Sequence, residues 1–109
     1  MELRTPSYYA LAALIDGPLH GYAIVRRAAE LSDGTVRLST GTLYAVLDRA
    51  IDAGLVVAGE SYVEAGRTRR DYALTPAGRD QLDAEARRLL HASRVVAGRL
   101  RATSALAAR

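Results

Sequence analysis

The stretch Ser39-Thr40-Gly41-Thr42-Leu43-Tyr44-Ala45-Val46-Leu47-Asp48-Arg49-Ala50-Ile51-Asp52-Ala53-Gly54-Leu55 decides how the rest of the chain is read. Leu43, Val46, Leu47, Ala50 and Ile51 recur at i, i+3, i+4, i+7 and i+8, the apolar stripe of a helix lying on a core. Ser39 stands where an N-cap hydroxyl accepts a bond from a free backbone N–H, and Gly54 where a left-handed residue closes a helix. At about 100° per residue, Gly41, Ala45, Asp48, Arg49 and Asp52 point away from the stripe, with Thr42 and Tyr44 on its flanks. The first turn is small, neutral and rich in hydroxyls; the acids sit in the rear half. A helix N-terminus carries free N–H donors and partial positive charge, so it attracts phosphate. Such a nose suits a helix that enters a DNA major groove end-on. It suits a capped amphipathic helix of any small domain equally well.

Upstream, Thr5 as N-cap and Pro6 at the first helical position announce a helix with Tyr8, Leu11, Leu14 and Ile15 on its apolar face. Asp16-Gly17-Pro18 stops it. A second helix is expected from Gly21 to Leu31, burying Ile24, Ala28 and Leu31 and wetting Arg26, Arg27 and Glu30. Ser32 to Thr35 form a turn, and Val36-Arg37-Leu38 a short extended piece. Downstream, Leu55 to Val63 is rich in Val and Tyr, Glu64 to Arg70 makes a polar tip, and Asp71 to Thr75 alternates with Tyr72 and Leu74 on one face. Two strands around a basic loop read as a β-hairpin. Helix-helix-helix-strand-strand is the order of a winged helix-turn-helix, so the fold class is mainly α (α+β) with a two-stranded wing over residues 1–75. In that arrangement the loop lies beside the groove, and Arg67, Arg69 and Arg70 are candidates for phosphate contact. Strand alternation sends some of them to DNA and leaves one a solvated strand residue.

Thr75-Pro76 repeats the Thr-Pro helix start and opens a C-terminal segment, 76–109. Leu82, Ala86, Leu89, Ser93, Val96, Leu100 and Thr103 step by 4, 3, 4, 3, 4, 3, a heptad seam with Leu90 at its side. The seam is weak: Ser93 and Thr103 are polar, Ala86 is small, and Gly98 lowers helix propensity by about 1 kcal/mol. It is expected to bury itself against the same helix of a second copy, and partly against Leu11 and Ile15 of the first helix. A helix folded back on its own domain is the alternative. Beyond Arg101 the chain is expected to fray.

A chain of 109 residues allows one domain with a modest core. Half the residues are apolar, so a globular fold is expected. No run approaches the roughly 18 apolar residues of a membrane span, and no signal peptide is visible. The absence of cysteine excludes disulfides and thiolate metal sites, and with the missing signal fits the cytoplasm. The formal charge of +3 comes from 15 arginines with no lysine, too small a surplus to indicate nucleic acid by itself. An enzyme would need a nucleophile–base pair, a metal cluster or a phosphate loop at a strand–helix junction. None is visible, and no cofactor is expected. His20 shapes the turn before the second helix, and only His91 could join it on a metal.

Taken together, Gly17-Pro18-Leu19-His20-Gly21-Tyr22, Ser39-Thr40-Gly41-Thr42-Leu43-Tyr44 and Arg69-Arg70-Asp71-Tyr72-Ala73-Leu74-Thr75-Pro76-Ala77-Gly78 resemble the PadR family of bacterial transcriptional regulators. With Leu14-Ile15, Leu47-Asp48-Arg49 and Gly54-Leu55-Val56 the resemblance covers residues 3 to 80 in the right order. One helix after the hairpin resembles the short subgroup of the family. The resemblance implies a homodimeric winged-helix repressor on a pseudopalindromic double-stranded DNA operator, with C-terminal helices exchanged across the dimer. It also implies release from DNA by a small hydrophobic effector in many members. A winged-helix interaction module without DNA binding is the other reading; it would be expected to lack the basic wing and the open first turn.

This chain departs from the family in three places. Ala45 replaces the proline that commonly follows the tyrosine of the S-x-G-T-L-Y motif, and Ala50-Ile51 stands where Leu-Glu is frequent. There is no tryptophan or phenylalanine, and no aromatic residue at all from Pro76 onward, which favours an aliphatic effector pocket or none. The expected DNA-binding set is therefore Ser39 (first a cap), Thr40, Gly41, Thr42, Tyr44, Arg49, Arg67, Arg69, Arg70 and Tyr22. For Tyr22, packing under the hairpin is the preferred role and phosphate contact the second; for Tyr44 the order is reversed.

Overall fold

Proline at the start of the first helix sets φ without removing a needed N–H, and α1 runs Thr5–Ala12. The computed structural model describes residues 1–108. The N-cap of α1 is Arg4, one residue before the expected Thr5, and it offers no side-chain acceptor. Regular helix ends at Ala12, and Leu14 reaches the core from the turn that follows. A two-residue strand, β1 (Leu19–His20), leads into α2 (Gly21–Leu31), and α3 spans Thr40–Asp52. Both ends of α3 are as expected. Ser39 Oγ accepts the Thr42 N–H at 3.1 Å, and Gly54 at φ 76° lets the Leu55 N–H reach the Ala50 carbonyl at 2.9 Å, a Schellman closure.

The hairpin is longer and tighter than its sequence suggests. β2 (Val56–Glu64) and β3 (Arg67–Leu74) pair antiparallel up to a tip of Ala65-Gly66, both at positive φ. Such a two-residue turn matches strand twist but is usually marked by Asn-Gly or Asp-Gly, so the alanine hid it. Arg67, Arg69 and Arg70 consequently lie in a strand and not in a loop. A register shift between Ala58 and Ser61 places one extra residue in β2. β1 adds a third strand, with Leu19 opposite Tyr72 and His20 opposite Asp71, in the order β1-β3-β2. Two residues are too few to show a period, which is why the sequence did not announce it. Val36 and Leu38 are buried but form no strand.

Leu11, Leu14, Ile24, Leu43, Val46, Leu47 and Val56 form the buried centre between α1, α2, α3 and the base of the hairpin. Each such side chain withdrawn from water contributes about 1.5–3 kcal/mol before entropy is charged. Leu31 and Ile51, expected inside, are 39% and 36% exposed at the rim. The last helix, α4 (Pro76–Ala107), is capped by Thr75, whose Oγ accepts the Gly78 N–H at 3.0 Å and donates to the Gly54 carbonyl at 2.7 Å. Helix continues past Arg101 to Ala107, because three alanines and Leu106 favour it and no Gly or Pro interrupts. Arg109, the end of the expected frayed tail, lies outside the described residues. The radius of gyration is 17.5 Å against about 13 Å for a compact chain of this length. α4 is an arm projecting from the head.

Candidate nucleic-acid interface

Ser39, Thr40, Gly41, Thr42 and Tyr44 are all exposed on the first turns of α3. The Ser39 hydroxyl is committed: besides capping, it donates to Thr42 Oγ1 at 3.0 Å. Thr42 therefore keeps its own hydroxyl proton for an outside acceptor. Gly41 has nothing within 4 Å of where a Cβ would stand, so no packing inside the chain requires glycine there. Helical glycine carries an entropic cost, and nothing inside the chain offsets it at this position.

Between this nose and the wing lies a cleft of about 330 Å³. Tyr44 and Tyr22 stand on its helical side, Arg67, Arg69 and Arg70 on its sheet side, with His20 and Gly21 at its floor. The H-G-Y segment explains itself here. His20 caps α2, its Nδ1 accepting the Ala23 N–H at 3.2 Å, and the Arg69 guanidinium Nη1 lies 3.1 Å from the same nitrogen. A side chain at Gly21 would collide with the Tyr44 hydroxyl 2.9 Å away, so glycine leaves that phenol its place at the cleft. Tyr22 is 62% exposed at the mouth, with the Arg26 guanidinium 5.8 Å over its ring. The preferred role of packing under the hairpin is thus overturned: Tyr22 stays in solvent beside His20 and Arg26, and the buried tyrosine of the hairpin is Tyr72. That burial, with a smaller contribution from Tyr44, raises the Tyr72 phenol above its usual pKa.

The wing arginines divide by strand alternation. Arg70 alternates with Arg67 and Arg69 along β3 and donates to Ser61 Oγ at 3.1 Å, while all three border the cleft. Arg69 is half-buried, and its Nε has no partner. The wing also carries Glu60, Glu64 and Asp71, as many acids as arginines, which a reading centred on the arginines overlooked. Asp71 is engaged elsewhere: it accepts the Tyr62 hydroxyl at 2.7 Å, which raises that phenol's pKa. Among the described residues none of the three arginines is ion-paired. Their charge is free for a ligand. Arg49, exposed on the outer side of α3, is unpaired too.

The residues expected at a dimer interface do not share one environment. Leu11 is fully buried in the head and Leu82 is 6% exposed, so both belong to the chain's own core and cannot meet a partner. Ile15, Leu89, Leu90, Val96 and Leu100 are exposed apolar side chains, Ser93 is exposed, and Ala86 is half-covered. Beside them a hollow of about 310 Å³ has Leu3, Tyr8, Tyr9 and Leu89 on its apolar side and Glu2, Arg4, Glu85 and Arg88 on its charged side. The two tyrosine rings meet edge to face at 5.4 Å. α1 thus brings to α4 the aromatic rings that α4 lacks.

The profile described as the transcriptional regulator PadR-like family matches residues 10–84. The chain belongs to the PadR-like family. A transcriptional regulator of Mycobacterium tuberculosis is 41% identical over 83 residues, covering 76% of this chain and 74% of that one. A 37.1 kDa protein of Streptomyces fradiae transposon Tn4556 is 45% identical over 86 residues, 79% of this chain, and the match spans only 23% of that longer relative. PadR of Bacillus subtilis, solved in complex with operator DNA, shares the fold at a TM-score of 0.66 and 23% identity, covering 76% of this chain and 47% of that one. The family is one of transcriptional regulators and not of enzymes. Among the described residues no helix is long and apolar enough to cross a membrane.

Proposed function

We propose that this PadR-family chain is a homodimeric, sequence-specific DNA-binding repressor. The observation that carries the reading is the first turn of α3, held outward with an unfilled glycine and flanked by a cleft of unpaired arginines. Residues 1–75 act as the DNA-binding unit. Thr40, Gly41 and Thr42 face base edges, while Tyr22, Tyr44, Arg67 and Arg69 hold phosphate. Residues 76–109 act as the dimerisation segment, pairing Leu89, Leu90, Ser93, Val96 and Leu100 with a second copy. Helices without tertiary packing are marginal in water, which supports a partner for an arm this bare. Two α3 helices then enter successive major grooves roughly 34 Å apart on a pseudopalindrome. A small hydrophobic effector, if the chain has one, would lie against the Tyr8, Tyr9 and Leu89 side of that hollow, opposite Glu2, Arg4, Glu85 and Arg88.

The test is light scattering on the full chain and on one ended after Arg88, which keeps Leu82 in the core, together with footprinting on DNA selected from a random pool. The full chain should weigh twice its formula mass and protect two half-sites; the shortened chain should be monomeric and protect neither firmly. A solitary full-length chain, or one that selects no duplex, overturns the proposal.

A further inference from the structure

We infer that the hollow on the flank of α3 away from the wing is a second phosphate seat, in which Arg4 and Arg49 hold the DNA strand that the wing does not touch. The inference rests on the DNA-binding reading above. This hollow measures about 670 Å³ and lies between the segment Met1–Ser7 and α3, with Arg4, Thr42, Val46, Arg49 and Asp52 among its walls. Around the axis of α3, at about 100° per residue, Gly41, Ala45 and Asp48 point outward, Tyr44 turns towards the wing cleft, and Thr42 and Arg49 turn the opposite way. A helix lying in a major groove about 12 Å wide has a phosphate strand on either side. The wing cleft faces one of them; the Arg4–Arg49 hollow faces the other.

The side chains present have the chemistry for it. Among the described residues Arg49 has no ionic partner, and Arg4 has only Glu2, at 3.6 Å, in a pair whose side chains are 80% and 77% exposed. Exposed pairs of this kind hold weakly, whereas arginine binds phosphate through two parallel charge-assisted bonds. Two acids border the same hollow. Asp52 sits at the far end of α3, and Glu2 competes directly for Arg4. The competition gives the inference a sign: removing Arg4 weakens DNA binding, and neutralising Glu2 strengthens it.

The probe is a duplex selected by the full chain from a random pool, with binding followed across a salt series and by phosphate-ethylation interference on both strands. Arg4→Ala and Arg49→Ala should each lower the slope of log K against log salt by about 0.9. They should also erase interference on the strand across the groove from that affected by Arg67→Ala. Glu2→Gln should tighten binding at low salt. If Arg4→Ala and Arg49→Ala keep the slope and interference pattern of the unaltered chain while Arg67→Ala changes them, the second seat is wrong and DNA binding stands. If the unaltered chain selects no duplex, the DNA-binding reading fails and takes this inference with it.

Discussion

Leu82 and Leu100 stand on the same face of α4, about five turns apart, and only one of them is covered. Leu82 is 6% exposed and completes the core of the head; Leu100 is 62% exposed, on a stripe with Leu89 and Val96. One helix therefore does two jobs. Its first turns are fastened to the head by Thr75, Gly78 and Leu82, and its remaining turns present an apolar face that the single chain does not bury. A heptad pattern in sequence marks both stretches alike, because periodicity reports which face is apolar and not what covers it.

The sharpest way to break this contrast is to empty both positions. Leu82→Ala should cost about 2–5 kcal/mol in urea denaturation, at every protein concentration, since it opens a cavity inside one chain. Leu100→Ala should leave the head's stability untouched and instead raise the concentration at which the proposed dimer dissociates. Equal, concentration-independent losses from both would mean that the far half of α4 folds back on its own head.

A second pair of substitutions separates the two regions by sign. A Cβ on Gly78 would run into the Leu55 carbonyl oxygen, a backbone atom that cannot swing aside. Gly78→Ala should therefore destabilise by about 1–3 kcal/mol, the usual range for overpacking. At Gly98 the nearest atom to such a Cβ is the end of the Arg101 side chain, 3.9 Å away. Gly98→Ala should gain about 1 kcal/mol from helix propensity. Thermal melts decide both. A stabilised Gly78→Ala would show that the start of α4 is not clamped to the head.

The same contrast explains what was legible in the sequence. The α3 stripe from Leu43 to Ala50 and its two caps, the end of α2 and the Thr75 cap follow from local rules, and the structure keeps them, with Ile51 left at the rim. Positions settled by a distant neighbour were not legible. Leu11 was expected on an apolar face shared between the head and the C-terminal helix, yet it is fully buried in the centre of the head. Tyr22 could not be placed without knowing that the start of α2 leaves its ring in solvent beside His20 and Arg26. His20 showed its helix start, but its contact with Arg69, 49 residues away, depends on the pairing of β1 with β3. At the candidate site, the residue types and the outward face of α3 were visible; the extension of the wing strands through the arginines was hidden by an alanine at positive φ.

Gly41 carries the smallest stability effect and the most direct reading of the interface. Gly78 is glycine because the chain's own backbone crowds it; Gly41 has open space where a Cβ would be. Gly41→Ala should consequently stabilise the fold, by up to about 0.5–1 kcal/mol, through lower backbone entropy in the unfolded chain. The same methyl group should weaken binding to a selected duplex if the backbone of α3 approaches a base edge or sugar at that point. Stability up and affinity down, measured on one variant, cannot both come from a folding defect. If affinity rose with stability, the open first turn would be a tolerated weakness of the helix and the groove would have to be met elsewhere on α3.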